Sequence, residues 1–157
     1  MIRLLIGMLL AGMLLAGEAL RAQTYSAFLG ASVDGAAQTN AAGHACLFVE
    51  PESASFYSIS CLSARGPDVR NPVYDLVQGF GRPLFTAGRF TVSALTGGGI
   101  TTRPDATYGL FDGGFMLEYR LKDQMGIVGL FKGAYSPGLV GQRWVPRFGV
   151  GLRYGGR

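Results

Sequence analysis

Hydrophobic and polar positions alternate along most of the chain after residue 22, and helical spacing of apolar residues is rare. Alternation at every second residue indicates β-strands that place one face against an apolar phase. Eight such runs end at Gly, Pro, Asp or Asn, near 24–33, 43–50, 55–64, 73–81, 88–98, 107–121, 125–136 and 145–154. The pattern therefore predicts an all-β domain of eight strands.

The run 107–121 shows the alternation most clearly. Phe111 shares the apolar face of this run, whereas Asp112, Glu118 and Arg120 fall on the opposite face, because successive strand side chains point to opposite sides. Runs two, four and seven alternate poorly. In the better runs the polar face also holds Gly, Ser and Thr, which suit the narrow interior of an eight-stranded barrel. The apolar face would then meet lipid, which favours an antiparallel up-and-down transmembrane barrel.

The connections between the runs differ in length. Turns look tight after runs two and six and intermediate after run four, at 82–87, whereas the connections after runs one, three, five and seven are longer. The longer ones are 34–42, 65–72, 99–106 and 137–143. Short and long connections alternate in outer-membrane barrels, which have short periplasmic turns and longer outer loops. We expect the four long loops to form the contact surface for an extracellular or envelope partner.

The first 22 residues read as a secretory signal peptide. Arg3 supplies the basic start, residues 4–17 form an apolar stretch, and small residues lead to a cut after Ala22. An uncleaved anchor is the alternative, but the apolar stretch is short of the ~20 residues that a spanning helix needs. The barrel domain is then 23–157, exported to the bacterial outer membrane. Charged residues make up 15% of the chain and are scattered, so no nucleic-acid footprint is expected.

Tyr and Trp residues gather near the ends of the proposed strands. By parity all except Tyr108 lie on the apolar face, and rings of this kind prefer the headgroup level of a membrane. Tyr is also common near strand ends in soluble β proteins. We predict two aromatic girdles around a barrel, built from Tyr25, Tyr57, Tyr74, Tyr119, Tyr135, Trp144 and Tyr154.

On these features the chain resembles the small eight-stranded outer-membrane β-barrels, the OmpX-like and opacity-protein-like group. The resemblance covers residues 23–157 and rests on the signal, the eight runs, the segment 113–121 and the closing segment 147–154. It implies a membrane barrel, and for such a barrel no cofactor is expected. Such barrels usually end on an aromatic residue, whereas this chain continues for three residues past Tyr154.

Cys46 and Cys61 are predicted to form a disulfide, because thiols of exported proteins rarely stay reduced. A hairpin that turns near residues 53–54 would place the two directly opposite each other and pair Phe48 with Ile59. Two reduced cysteines are the alternative. The role would be structural.

Charges on the inward parity of runs six to eight are predicted to form ion pairs that plug the barrel, because charges in a low-dielectric interior must be paired. A narrow pore lined by the same residues is the alternative. The set is Asp112, Glu118, Arg120, Lys132, Arg147 and Arg153.

Catalytic and metal sites are not expected. His44 is the single histidine, and it is interpreted as a solvated loop residue without triad spacing. One His and two Cys do not make a zinc site. Outer-membrane lipid A deacylases resemble the chain faintly at 133–139, but Ala134 stands where that family carries a histidine.

Three functions remain open. The first is a monomeric barrel in membrane lipid with a structural or surface-interaction role, and no enzyme. The second is a secreted, soluble, lipocalin-like barrel that binds a small apolar ligand. The third is a lipid A-modifying barrel enzyme.

Overall fold

The computed structural model describes residues 23–34, 40–51, 55–66, 73–104, 106–137 and 144–155. The predicted signal peptide lies outside these residues, as do most of the loops 34–42, 65–72 and 137–143. The eight strands are β1 Gln23–Asp34, β2 Asn40–Pro51, β3 Tyr57–Arg65, β4 Val73–Ala87, β5 Phe90–Thr102, β6 Thr107–Lys122, β7 Met125–Tyr135 and β8 Trp144–Tyr154. Within the described residues, no helix is long and apolar enough to cross a bilayer.

The strands form one closed antiparallel barrel, which confirms the predicted fold. Each strand pairs with the next in the sequence, and β8 closes the barrel on β1. A path that follows paired residues around the barrel leaves β8 at Trp144 and returns to the same strand at Tyr154. This stagger tilts the strands against the barrel axis, as closure of an eight-stranded sheet requires.

Six of the eight strands are longer than the sequence predicts. The connection expected at 82–87 is wrong, because β4 continues to Ala87 and pairs with β5 across a bulge between Pro83 and Phe85. A proline cannot donate to the ladder, and a bulge accommodates it. The turn is then only Gly88 and Arg89, with Gly88 in the left-handed region at φ 58°.

Two predicted loops are shortened in the same way. Most of the expected loop 99–106 is strand, since β5 runs to Thr102, and the loop 34–42 loses both of its ends to β1 and β2. In each case the residues pair in register with a neighbouring strand, for example Thr102 with Thr107. Glycine, threonine and alanine do not favour strand on their own, but pairing with the neighbouring strand extends the ladder through these residues.

The middle of the lumen is filled by apolar side chains. Phe28, Phe48, Met116 and Val128 are each at most 2% exposed, and Ile59 is 5% exposed. Phe28 breaks the polar pattern of its face in the sequence, yet it points inward with that face. The Phe28 ring packs directly against Gly30 and Gly151. A Cβ atom at either position would collide with the ring. The narrow interior therefore accepts a large ring by giving it glycine neighbours.

Candidate functional site: the lumen and the outer wall

A charged cluster closes the lumen at the end that carries the short turns. Arg153 of β8 is paired with Glu50 of β2 and with Glu118 of β6, where Nη1 donates to Oε2 at 2.8 Å. Its Nε donates to Ser26 Oγ at 2.7 Å, and the guanidinium carbon lies 4.5 Å from the centre of the Phe48 ring. One buried arginine thus joins four strands across the lumen, with both ionic and cation–π contacts.

A second charged cluster lies in the half of the lumen nearer the long loops. Asp75 of β4 is fully buried and is paired with Arg147 of β8 at 2.9 Å and with Arg65 of β3 at 3.3 Å. Lys132 of β7 donates to Asp112 of β6 at 3.0 Å. The apolar middle of the lumen separates these pairs from the Arg153 cluster.

The predicted lumenal charges are therefore brought together in two groups rather than one. Asp112, Glu118, Lys132, Arg147 and Arg153 all form ion pairs. Arg120 lies in the mouth of the barrel. Together with Glu118, Lys122 and Asp123 it lines a cavity of about 20 Å³.

Three lumenal partners were missed by sequence reasoning, namely Glu50, Arg65 and Asp75. The disulfide supplies a signal for two of them. If Cys46 and Cys61 face inward, the period of two carries Glu50 and Arg65 inward as well. Asp75 lacks such a marker, because the residues around it in run four alternate poorly.

The disulfide is confirmed. Cys46 and Cys61 are directly opposed on β2 and β3, their Cα atoms are 4.1 Å apart, and both are 6% exposed in the lumen. The expected pairing of Phe48 with Ile59 is also present. The bond ties two adjacent strands at the level of the apolar plug.

His44 is not a solvated loop residue, so that interpretation is wrong. It lies within β2, half-buried, with its ring pointing into the lumen. Its Nδ1 is 2.6 Å from Ser63 Oγ, and its Nε2 is hydrogen-bonded to Ser32 Oγ. The three side chains line a second cavity of about 20 Å³ together with Lys132 and Arg147. A space of that size holds about one water molecule.

The outer wall carries aromatic residues at two levels. The level near the short turns consists of Tyr25, Tyr119 and Tyr154, and the level near the long loops consists of Tyr74, Tyr135 and Trp144. All six point outward. Tyr119 is half-buried and the other five are exposed. Trp144 and Tyr154 are the first and last residues of β8. A rise of ~3.3 Å per residue and a tilt of ~40° separate them by roughly 25 Å along the axis, the height of the apolar band of outer-membrane barrels.

Tyr57 does not belong to these levels, and its assignment to the apolar outer face is wrong. It is 4% exposed and points into the lumen, where its ring centre lies 5.8 Å from that of Phe48. A Cβ on Gly81 would collide with the Tyr57 ring, so this glycine makes the space that the ring fills. The parity of run three was misjudged because its inward face is apolar and its outward face carries Ser58 and Ser60.

Metal-binding groups are not found in the part of the chain that the structure describes, where no three His, Cys, Asp or Glu side chains cluster.

Comparison with solved structures places this barrel among small transmembrane barrels. Neisserial surface protein A superposes with a TM-score of 0.66 at 6% identity, over 85% of this chain and 96% of that one. A major outer membrane protein from Thermus thermophilus gives 0.54 at 13% identity, over 86% and 100%. A de novo designed transmembrane β-barrel gives 0.53 at 9% identity, over 84% and 94%.

No protein-family model and no curated protein sequence matches the chain. The relationship is therefore one of architecture. The closed antiparallel barrel of this chain superposes over most of its length on these structures, one of which is a designed transmembrane β-barrel. The predicted resemblance is confirmed at this level, and the chain has the fold of the small eight-stranded transmembrane β-barrels.

Proposed function

We propose that this chain is a bacterial outer-membrane barrel that is closed by its own side chains and acts through its structure or its outer surface. The observation that carries the proposal is the filling of the lumen by side chains. Two ion-pair clusters lie on either side of an apolar plug that contains Phe28, Phe48 and Met116. A path for ions would have to cross this plug, where the apolar side chains offer nothing to replace the lost hydration.

The outer wall supports a location in lipid. Large apolar side chains there are exposed to about half of their surface, for example Phe115 at 51%, Phe148 at 50% and Val150 at 60%. Such a surface would be an aggregation hazard in water, whereas in a membrane it meets hydrocarbon. The likeness in fold to a major outer membrane protein and to a surface protein supports the same compartment.

The surface role would rest on the loops at the end opposite the short turns. Neisserial surface protein A is a surface protein by name, and its fold extends over most of this chain. We propose that the connections after β1, β3, β5 and β7 meet an extracellular or envelope partner. Most of these residues lie outside the described ranges.

A soluble, ligand-binding barrel is less well supported. That reading requires a ligand-sized cavity inside and a hydrophilic surface outside. The cavity beside Arg120 and the cavity beside His44 are each about 20 Å³, whereas ligand pockets are on the order of 300 Å³ or more.

We also propose that the barrel is not an enzyme. A lipid A-modifying site has to face the lipid, and His44 instead faces the lumen between Ser32 and Ser63. If His44→Ala left lipid A composition unchanged in cells that produce the protein, the proposal would be supported. A loss of lipid A modification in that variant would contradict it.

Location and closure can be tested on one sample. Membrane fractions are run on SDS gels with and without boiling, and a mobility shift for protein in the outer membrane is expected of a closed barrel. Protein found free in the periplasm or medium, without a shift, would contradict the membrane location.

Closure itself is tested by conductance in planar lipid bilayers. We expect the wild-type protein to be silent and the double variant Phe28→Ala/Phe48→Ala to conduct, because it empties the plug. The matched control is Phe131→Ala/Phe148→Ala, which removes two phenylalanines of the outer wall whose ring centres are 4.9 Å apart. Channel conductance by the wild-type protein would contradict the plug. So would a Phe28→Ala/Phe48→Ala variant that still shows the heat shift but does not conduct.

A further inference from the structure

The outer wall is not apolar all the way round. Between the two aromatic levels, the outward faces of β3, β4 and β5 carry four polar side chains, a set we term the polar stripe: Ser58, Ser60, Gln78 and Thr96. On β1, β2, β6, β7 and β8, every described outward residue between these levels is apolar or glycine. The stripe is therefore confined to one side of the barrel.

Gln78 lies at mid-depth in the proposed membrane. It follows Tyr74 of the upper aromatic level by four residues on β4, and its side chain is exposed. Four residues at ~3.3 Å, tilted by ~40°, correspond to roughly 10 Å along the axis. That distance is too great for a glutamine to reach the headgroups. Arg82, further along the same strand, is close enough to the short-turn end to extend its charge toward water.

The stripe is partly satisfied within the barrel. Ser60 Oγ donates to Gln78 Oε1 at 2.5 Å, and the two residues are directly paired on β3 and β4. This bond uses one of the two acceptor positions of Gln78 Oε1, and no hydrogen bond from its amide nitrogen is found within the described residues, although the side chain is exposed on the outer wall. Hydrocarbon offers no acceptor for the amide N–H groups, so a polar group in this position indicates contact with protein.

The neighbours of Gln78 would allow another backbone to approach. Gly98 on β5 is paired directly with Gln78. A Cβ at Gly98 would meet the Phe111 ring at 3.6 Å, an ordinary contact, so packing within the barrel does not demand glycine there. Small residues at lipid-facing positions are typical of surfaces where two membrane proteins pack closely.

We propose that the polar stripe is the interface of a homodimer, in which it packs against a second copy of this chain. The protein would then be a dimer and not the expected monomer. A carboxamide carries both a donor and an acceptor. Two copies related by a twofold axis near Gln78 can therefore hydrogen-bond Gln78 to the same residue of the second copy. Such an interface is self-complementary, as a twofold contact requires. The inference rests on the proposed membrane location.

Oxidative cross-linking in native membranes tests the interface. The reporter is Thr96→Cys, which lies in the stripe, and the matched control is Val150→Cys, which lies on β8 between Trp144 and Tyr154 and four strands away from β4. The native Cys46 and Cys61 are already bonded to each other. We expect a covalent dimer of the chain from the reporter under copper–phenanthroline and at least tenfold less from the control.

A second variant links the dimer to the amide. In the Thr96→Cys background, Gln78→Leu should reduce the dimer at least fivefold, whereas Leu76→Ala, which alters an apolar neighbour on the same face, should leave most of it. Equal yields from reporter and control would overturn the proposal, as would an adduct with another protein. A dimer unaffected by Gln78→Leu would also overturn the role assigned to the amide.

The same membranes separate this inference from the proposed function. A heat-modifiable protein in the outer membrane that gives no dimer contradicts the interface alone. A protein that is absent from the membrane and shows no heat shift contradicts both.

Discussion

The wall formed by β6–β8 and the wall formed by β2–β4 differ in where most of their charged and polar residues lie, although both contribute to the plug and to the ion pairs. In β6–β8 the inner face carries charge, as in Asp112 and Arg153, and the outer face between the aromatic levels is apolar or glycine. In β2–β4 the inner face supplies much of the plug, including Phe48 and Ile59, and the outer face includes Ser60 and Gln78. Both walls have the same ladder geometry, but they divide polar and apolar residues differently.

This difference explains where hydrophobic alternation is informative. Alternation is clear when one face meets lipid and the other meets polar groups, as in β6. In β3 the inner residues Tyr57, Ile59 and Cys61 are buried against the plug, so apolar character no longer marks the lipid face. A barrel that fills its own lumen with apolar groups thus loses the contrast on the strands that supply them.

The largest effect is expected from removing the cation that joins the two walls. Arg153→Met should destabilise the barrel by about 3 kcal/mol, because the half-buried carboxylates of Glu50 and Glu118 both lose their ion pair with a buried arginine. Urea unfolding in lipid vesicles, followed by the gel shift, measures the change. Arg89→Met, at an exposed turn residue, is the control and should have little effect. Equal losses in the two variants would show that the cluster adds nothing to stability.

A charge on the apolar wall should have an intermediate effect. Val150→Arg places a guanidinium near the middle of the proposed membrane on β8, which should cost about 2–4 kcal/mol of stability in lipid. The same unfolding measurement applies, with Gln124→Arg in the β6–β7 turn as the control. If Val150→Arg were as stable as this control, the outer face of β8 would not be in hydrocarbon.

The smallest effects should come from a pair of glycines on the two faces of β6. Gly114 faces inward, and a Cβ there would collide with the carbonyl oxygen of Phe131 and lie 2.7 Å from Lys132 Cα, so Gly114→Ala should destabilise by roughly 1–3 kcal/mol. Gly109 faces outward, and a Cβ atom added there would have no other atom within 4 Å.

Gly109→Ala should therefore be neutral or stabilise by up to about 1 kcal/mol, because alanine loses less conformational entropy on folding. Unfolding midpoints of the two variants provide the test. A result in which Gly109→Ala is the more harmful would mean that a neighbour outside this chain packs against that position.

Much of the fold was predictable from the alternating runs, but individual site residues were less so. Run 107–121 agrees with β6 to within one residue because its two faces differ in polarity along its whole length. The extension of β4 to Ala87 was not predictable, because Pro83 is a turn signal in isolation and only the partner strand β5 shows that the ladder continues past it. His44 lies inside the predicted run 43–50, but that run alternates too poorly to show which face the ring occupies, so its interpretation as a solvated loop residue was wrong.

Local periodicity was enough to predict the strand number, the antiparallel order of neighbours and the Cys46–Cys61 pairing, because these depend on contacts between adjacent runs. The two-cluster lumen depends on closure. Arg153 meets Glu50 and Glu118, and Asp75 meets Arg147, only because β8 returns to β1 with a stagger that brings distant strands to one level. That stagger is a property of the closed sheet as a whole, and no single run of residues encodes it.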